Sequence, residues 1–190
     1  MRFVLIGTAI LILAACHKPA QEQQQSTGKS VAVETAGPVK GVDRSHRGSP
    51  APAKPFNDPD GQPVHLADFT GKPLLVNLWA SWCAPCVKEL PTLDSLARSN
   101  RDIRVLAVSQ DSGPHASVVA FLQAHRIGTL DAYQDPSMGL SGALGADVLP
   151  TSVLYDSQGR EVWRYVGDLD WSSPQAAKLL SEAAAGAPAH

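Results

Sequence analysis

The chain has 190 residues, 16 Lys plus Arg against 18 Asp plus Glu, and a formal net charge of −2. So even a balance leaves no basic stripe to meet a phosphate backbone, and nucleic acid is excluded as an expected partner. The length suits one medium domain once an N-terminal leader is set aside, and 44% hydrophobic residues suffice to pack it.

Met1-Arg2 is a short basic start, and Phe3 to Ala14 is an apolar run too short to span a bilayer comfortably. Leu13-Ala14-Ala15-Cys16 closes the run with small residues before a cysteine. The pattern resembles a bacterial lipoprotein signal, which implies removal of residues 1–15 and acylation of Cys16 on its sulfur and new amino terminus. An ordinary signal peptide or an uncleaved anchor is the alternative. Residues 17–55 are rich in Gln, Pro, Ala, Gly and Ser, hold no aromatic residue and show no sustained apolar periodicity. With Cys16 they read as a lipidated, flexible tether over residues 16–55, with a root-mean-square span of roughly 35 Å.

From Phe56 the character changes, and residues 56–190 read as one domain. Asn57 to Gly61 is turn chemistry, Gln62 to Leu66 a short strand, and Thr70-Gly71-Lys72 a second turn. Leu74 to Trp79 has the largely apolar content of a strand covered on both faces. A helix is predicted from Pro85 to Ser99, with Val87, Leu90, Leu93 and Leu96 at helical spacing and Pro91 bending it. Ile103 to Ser109 reads as the next buried strand and Ser117 to His125 as a helix. Ala132 to Asp147 holds a short strand and a short helix ending near Gly145. Thr151 to Tyr155 and Glu161 to Val166 form a hairpin about a Gly-containing turn, and Ser173 to Ala185 a terminal helix capped by Ser172 or Ser173.

Trp82-Cys83-Ala84-Pro85-Cys86 sits where the central strand feeds its helix. A thiol there faces unpaired backbone N–H groups and the positive end of the helix dipole, so its thiolate is stabilised and nucleophilic at neutral pH. The second thiol, one turn on, can attack a mixed disulfide and release the partner. Of three cysteines in all, Cys16 is assigned to the lipid, which leaves Cys83 and Cys86 a self-contained pair. Half a zinc site is the plainer reading of such a pair, but zinc needs four ligands and no second cysteine pair exists. An inert structural disulfide is another, although so small a loop stabilises little. Cys83 is expected to be the exposed attacker and Cys86 the shielded resolver.

The element order, with Cys-x-x-Cys at the first strand-to-helix junction, resembles the thioredoxin fold, an α/β architecture with a central mixed sheet flanked by helices. The run Val76 to Pro91, Val-Asn-Leu-Trp-Ala-Ser-Trp-Cys-Ala-Pro-Cys-Val-Lys-Glu-Leu-Pro, is similar to the membrane-tethered extracytoplasmic thioredoxins of the TlpA and ResA type. That resemblance covers residues 56–185 and implies an added N-terminal β-hairpin, matched by the turns at Gly61 and Gly71. It further implies a thiol:disulfide oxidoreductase outside the cytoplasm that reduces disulfide-bearing proteins, often in cytochrome c biogenesis or copper-centre assembly. Such proteins are recharged by a membrane electron transporter.

Cys83 and Cys86 are then the redox-active disulfide, with Trp82 and Pro85 as support. The resemblance places a cis-proline at Pro150, where Leu149 before it can hydrogen-bond an extended substrate; an ordinary trans strand-starting proline is the plainer alternative. It also sets Glu89 near the dithiol as a tuner of its protonation, three residues after Cys86 and on the same helical face. As surface chemistry alone, such a glutamate would simply be solvated. Asn77 stands where ordinary thioredoxins have a buried aspartate, and an amide cannot take up the proton, so that duty passes to Glu89 or water. No cofactor and no metal are expected.

His65, His115 and His125 are scattered. A Sco-like copper protein, the non-enzymatic rival, needs Cys-x-x-x-Cys and a distant His, one residue more than this spacing offers. Asn77, Glu89 and the non-His dipeptide Ala84-Pro85 favour a reductase; an oxidase or isomerase is the alternative, and no dimerisation domain is left over for the latter. His17 after Cys16 lacks the aspartate that marks inner-membrane retention in Gram-negative lipoproteins, whereas recharging favours the inner bilayer, so both membranes stay open.

Overall fold

In the computed structural model, which describes residues 40–185, one mixed sheet takes the strand order β1-β8-β7-β4-β5-β6-β2-β3. The strands are β1 Gly41–Asp43, β2 Phe56–Asn57, β3 Pro63–Val64, β4 Leu74–Trp79, β5 Arg104–Ser109, β6 Tyr133–Gln134, β7 Thr151–Tyr155 and β8 Glu161–Val166. Four helices join them: α1 Ala84–Ser99, α2 His115–Ala124, α3 Gly139–Leu144 and α4 Pro174–Ala185, with a 3-10 turn at Leu66–Phe69. The expected leader, acylated Cys16 and the tether up to residue 39 lie outside the described residues.

β4 is the axis of the fold because every one of its residues is buried. Its side chains alternate between two cores, Leu75 and Trp79 facing one while Leu74, Val76 and Leu78 face the other. Helices α1, α2 and α4 cover the first face with Leu90, Leu93, Val118, Leu122, Leu179 and Leu180. The second face is closed by α3 through Leu140 and Leu144, and by Leu66 and Phe56. β4 pairs parallel with β5 through the α1 crossover and antiparallel with β7 on its other side. Asn77 falls between Leu75 and Trp79 in this alternation, so the pleat delivers a polar side chain to the α1 face. Trp163 anchors α4 to the sheet by donating its indole N–H to the Leu179 carbonyl at 2.9 Å.

Helix ends follow local chemistry. Pro85 lies in the first turn of α1, where its missing N–H costs nothing, and the helix continues through Pro91. Gly145 closes α3 in the left-handed region at φ 62°. Ser173 caps α4, its Oγ accepting from Ala176 N at 3.2 Å. The predicted hairpin at the N-terminal edge is present as β2 and β3, shorter than expected because Leu66 enters the 3-10 turn instead.

The domain does not begin at residue 56 as composition suggested. Gly41–Asp43 pairs antiparallel with β8, in register Gly41 with Val166. Beyond it Gly48 N donates to Glu161 O at 2.7 Å and Ala51 N to Gly159 O at 2.9 Å. Arg44 reaches α4, its guanidinium meeting Glu182 at 2.5 Å. A polar, Gly- and Pro-rich segment cannot build a core of its own, but it can saturate the open edge of β8 with backbone hydrogen bonds, a role that demands no apolar periodicity.

Candidate active site

β4 ends at Trp79, and the chain turns through Ala80-Ser81-Trp82 into Cys83, the N-cap of α1. Asp111, just past β5, fastens this turn: it accepts from Ser81 N at 3.0 Å and from Ser81 Oγ at 2.8 Å. Cys83 holds an extended backbone, φ −92° and ψ 97°, and its Sγ accepts from Cys86 N at 3.3 Å, so the sulfur occupies the place of an N-cap oxygen. Its partner is Cys86, the two joined by a disulfide with sulfurs 2.07 Å and Cα atoms 5.3 Å apart. Cys83 keeps 7% exposure while Cys86 is wholly buried. An incoming thiol or disulfide therefore meets Cys83.

Cys83 opens on a groove of about 600 Å³ whose walls include Trp82, Pro85, Met138, Ala146 and Leu149. Among the described residues only Val42, Trp82 and Met138 are large hydrophobic side chains left exposed, and two of these three stand on this groove. Met138 is held out by its backbone: it lies in the left-handed region at φ 54°, an uncommon state for a residue other than glycine. Buried Asp135 secures it, its carboxylate accepting from Gly139 N at 3.1 Å and Leu140 N at 2.8 Å to cap α3, while Met138 N donates to the Asp135 carbonyl at 3.1 Å. Leu149 borders the groove and its bond to buried Pro150 is cis.

Behind the dithiol lies a second constellation. Glu89 is only 3% exposed, so the solvated-surface alternative for it fails. Its Oε1 accepts from Asn77 Nδ2 at 2.6 Å, and its Oε2 from the backbone N–H of Leu169 at 2.9 Å. Asn77 also donates to Ser152 Oγ at 3.0 Å, its cross-strand partner on β7. Burial raises the Glu89 pKa to about 7, the Leu169 and Asn77 donors pulling it down and the charge of Asp168 adding to the rise. A carboxyl so placed is part protonated at neutral pH, the range in which a side chain can serve as either acid or base.

The structure thus gathers Trp82, Cys83, Pro85 and Leu149 at the groove, and joins buried Asn77 and Glu89 by a hydrogen bond, Glu89 lying three residues after Cys86 on α1; Cys16 lies outside the described residues. The histidines go elsewhere: His115 Nε2 contacts the Ala132 carbonyl at 2.7 Å, and His125 stacks on Phe121 at 4.0 Å. Among the described residues no three His, Cys, Asp or Glu side chains converge as metal ligands. Sequence reasoning missed Ser152, Leu169, Asp111 and Met138. For Ser152 a signal existed, since it is a polar residue inside an otherwise apolar strand; the others depend on long-range contacts.

Residues 46–180 match the redoxin family. The chain is 30% identical over 123 residues to the thiol-disulfide oxidoreductase ResA of Bacillus thuringiensis (strain Al Hakam), covering 64% of this chain and 70% of that protein. It is 33% identical over 146 residues to the thiol:disulfide interchange protein DsbE of Pseudomonas fluorescens biotype C, covering 72% and 79%. Its structure is similar to that of the pneumococcal exposed lipoprotein thioredoxin Etrx1 of Streptococcus pneumoniae strain TIGR4, with a TM-score of 0.58, 26% identity, and coverage of 67% of this chain and 98% of that one.

Proposed function

The chain belongs to the redoxin family and is a thiol:disulfide oxidoreductase, and on that premise we propose that it is a membrane-tethered, extracytoplasmic reductase of protein disulfides. The observation that carries this reading is the division of labour between two sulfurs: Cys83 caps α1 at the floor of an open groove, and Cys86 is wholly buried on the same helix, three residues before the buried Glu89.

In the reduced protein the Cys83 thiolate, stabilised by the N-terminus of α1, attacks one sulfur of a substrate disulfide. A Cys83–substrate bond forms, the substrate S–S bond breaks, and the departing sulfur takes a proton. Cys86 then gives its proton to Glu89, and its thiolate attacks Cys83. This closes the Cys83–Cys86 disulfide and releases the second substrate sulfur as a thiol. Two electrons have passed from the dithiol to the substrate. Asn77 and Leu169 hold Glu89 in position by hydrogen bonds to its two oxygens. A membrane dithiol carrier returns the electrons by the reverse exchange.

Trp82, Met138 and Leu149 offer an apolar bed for the substrate chain on either side of its cystine, which suits an extended or unfolded polypeptide such as an apocytochrome c. The tether reading draws on the lipoprotein-like run ending at Cys16 and on the lipoprotein among the structural relatives. Among the described residues no helix is long and apolar enough to cross a membrane.

Equilibration with glutathione tests the direction. A potential near thioredoxin's, about −270 mV, supports a reductase, and one near about −120 mV makes the protein an oxidant.

A further inference from the structure

We propose that Lys40 and Asp168, an ion pair at the mouth of the cleft beside Glu89, set the proton affinity of Glu89, so that the segment entering the domain from the N-terminus is a working part of the redox site. This rests on the reading of Glu89 as the proton holder for Cys86.

The loop after β8 is a strap stretched across that carboxyl. Gly167 N donates to the Pro150 carbonyl at 2.8 Å, Leu169 N to Glu89 Oε2 at 2.9 Å, and Trp171 N to Thr92 Oγ1 at 3.2 Å. Between the first two anchors stands Asp168, whose Oδ1 meets Lys40 Nζ at 2.5 Å. The lysine stem lies flat on the strap: a Cβ added at Gly167 would come within 2.9 Å of Lys40 carbons, and Gly167 itself holds φ 100°. Glycine is needed there for the turn, and its missing Cβ leaves room for the lysine stem. Lys40 is delivered to this spot by β1, which zips onto β8 immediately after it.

Glu89, Asp168 and Asp170 line one cleft of about 280 Å³ with Lys88, Thr92 and Leu169. The charges facing Glu89 are therefore Asp168 and Asp170 from the strap, Lys88 from its own helix and Lys40 from the N-terminal segment; Asn77 and Ser152 behind it are neutral. Asp168 opposes ionisation of Glu89, and the positive charge of Lys40, paired with Asp168, favours it. The two partners therefore act on Glu89 in opposite directions, and removing one moves its proton affinity the opposite way from removing the other.

The test is a ¹³C NMR titration of the Glu89 side-chain carboxyl in the oxidised full chain in detergent micelles, assigned by difference from Glu89→Gln. Lys40→Ala is expected to move the Glu89 midpoint up by about half a pH unit, and Asp168→Asn to move it down by a similar amount, the scale of a part-screened charge pair. Lys40→Arg should restore the wild-type midpoint. If the pair merely tightens the strap, both variants loosen the Leu169 donor and both midpoints rise, which overturns the proposal, as does no movement in either. Failure of the underlying reading shows elsewhere: Glu89→Gln would then leave the pH dependence of Cys86 reactivity unchanged, whatever Lys40 and Asp168 do to the carboxyl.

Discussion

Leu169 and Glu89, 80 residues apart in the chain, meet through a single hydrogen bond in which the Leu169 backbone N–H donates to Glu89 Oε2 at 2.9 Å. Burial raises the pKa of that carboxyl, and this bond is the largest of the influences that pull it back down. Burial alone would keep Glu89 neutral and unable to accept a proton, whereas full solvation would keep it ionised and too weak a base. One backbone donor and one amide donor hold it between these limits, at about 7.

Replacing Glu89 by Gln is expected to remove an inflection near pH 7 from the reactivity of reduced Cys86, read by alkylation rate against pH. The same variant reports on stability. The folded pKa of Glu89, about 7, stands above its ordinary 4.5, so the folded state binds the proton more tightly. Stability from this group is therefore fully present below pH 4.5, falls as pH rises toward 7, and stays lost above. Roughly 3 kcal/mol is at stake at 1.36 kcal/mol per pH unit. Denaturant titrations should show wild type losing about that much relative to Glu89→Gln across the window; parallel curves would sink the assignment.

Cys83 and Cys86 are separable by their variants. Cys83→Ser should abolish reduction of insulin disulfides, because the buried Cys86 cannot reach a substrate. Cys86→Ser should keep the first exchange and accumulate a covalent complex through Cys83, visible by mass spectrometry and released by dithiothreitol. Turnover retained in Cys83→Ser would reverse the two roles.

The central sheet and the place of the dithiol were legible because β4 and most of β5 are buried and so read as largely apolar runs, and because Cys83 sits at a helix start that Pro85 marks. Asn77 stood out through the resemblance, at the place where ordinary thioredoxins have a buried aspartate. Glu89 was legible as a neighbour of Cys86 by helical spacing, but its burial was not, since that is imposed by the strap from Gly167 to Trp171 far along the chain. β1 was invisible for a different reason. Gly41-Val42-Asp43 carries no strand periodicity, and its pairing is made by backbone groups that any residue but proline supplies.

Met138 is expected to act on substrate binding and not on the sulfur chemistry. Met138→Ser removes an exposed apolar side chain from the groove while leaving Asp135 to cap α3. KM for a cystine-containing unfolded polypeptide should rise about 3- to 10-fold, equivalent to about 1 kcal/mol of lost apolar contact. The rate with a small soluble disulfide should be unchanged, since such a molecule touches only Cys83. Equal losses with both substrates would mean that Met138 supports the geometry of the dithiol instead.

The N-terminal edge offers a last measurement, of stability. A chain starting at Arg47 lacks β1 and the Arg44–Glu182 pair, while one starting at Lys40 retains both. Exposed ion pairs contribute little, and each backbone hydrogen bond to β8 adds about 0.5–1.5 kcal/mol against the entropy of ordering three residues. The terms nearly cancel, so the shorter chain should lose only about 1 kcal/mol, a fall in Tm of about 3–5 °C. Its larger defect should be colloidal. With β1 gone, β8 presents unpaired N–H and C=O groups along a free edge, and the shorter chain should self-associate with rising concentration where the longer one does not. Light scattering distinguishes the two, and monodisperse behaviour of the shorter chain would show that β1 is not needed to guard that edge.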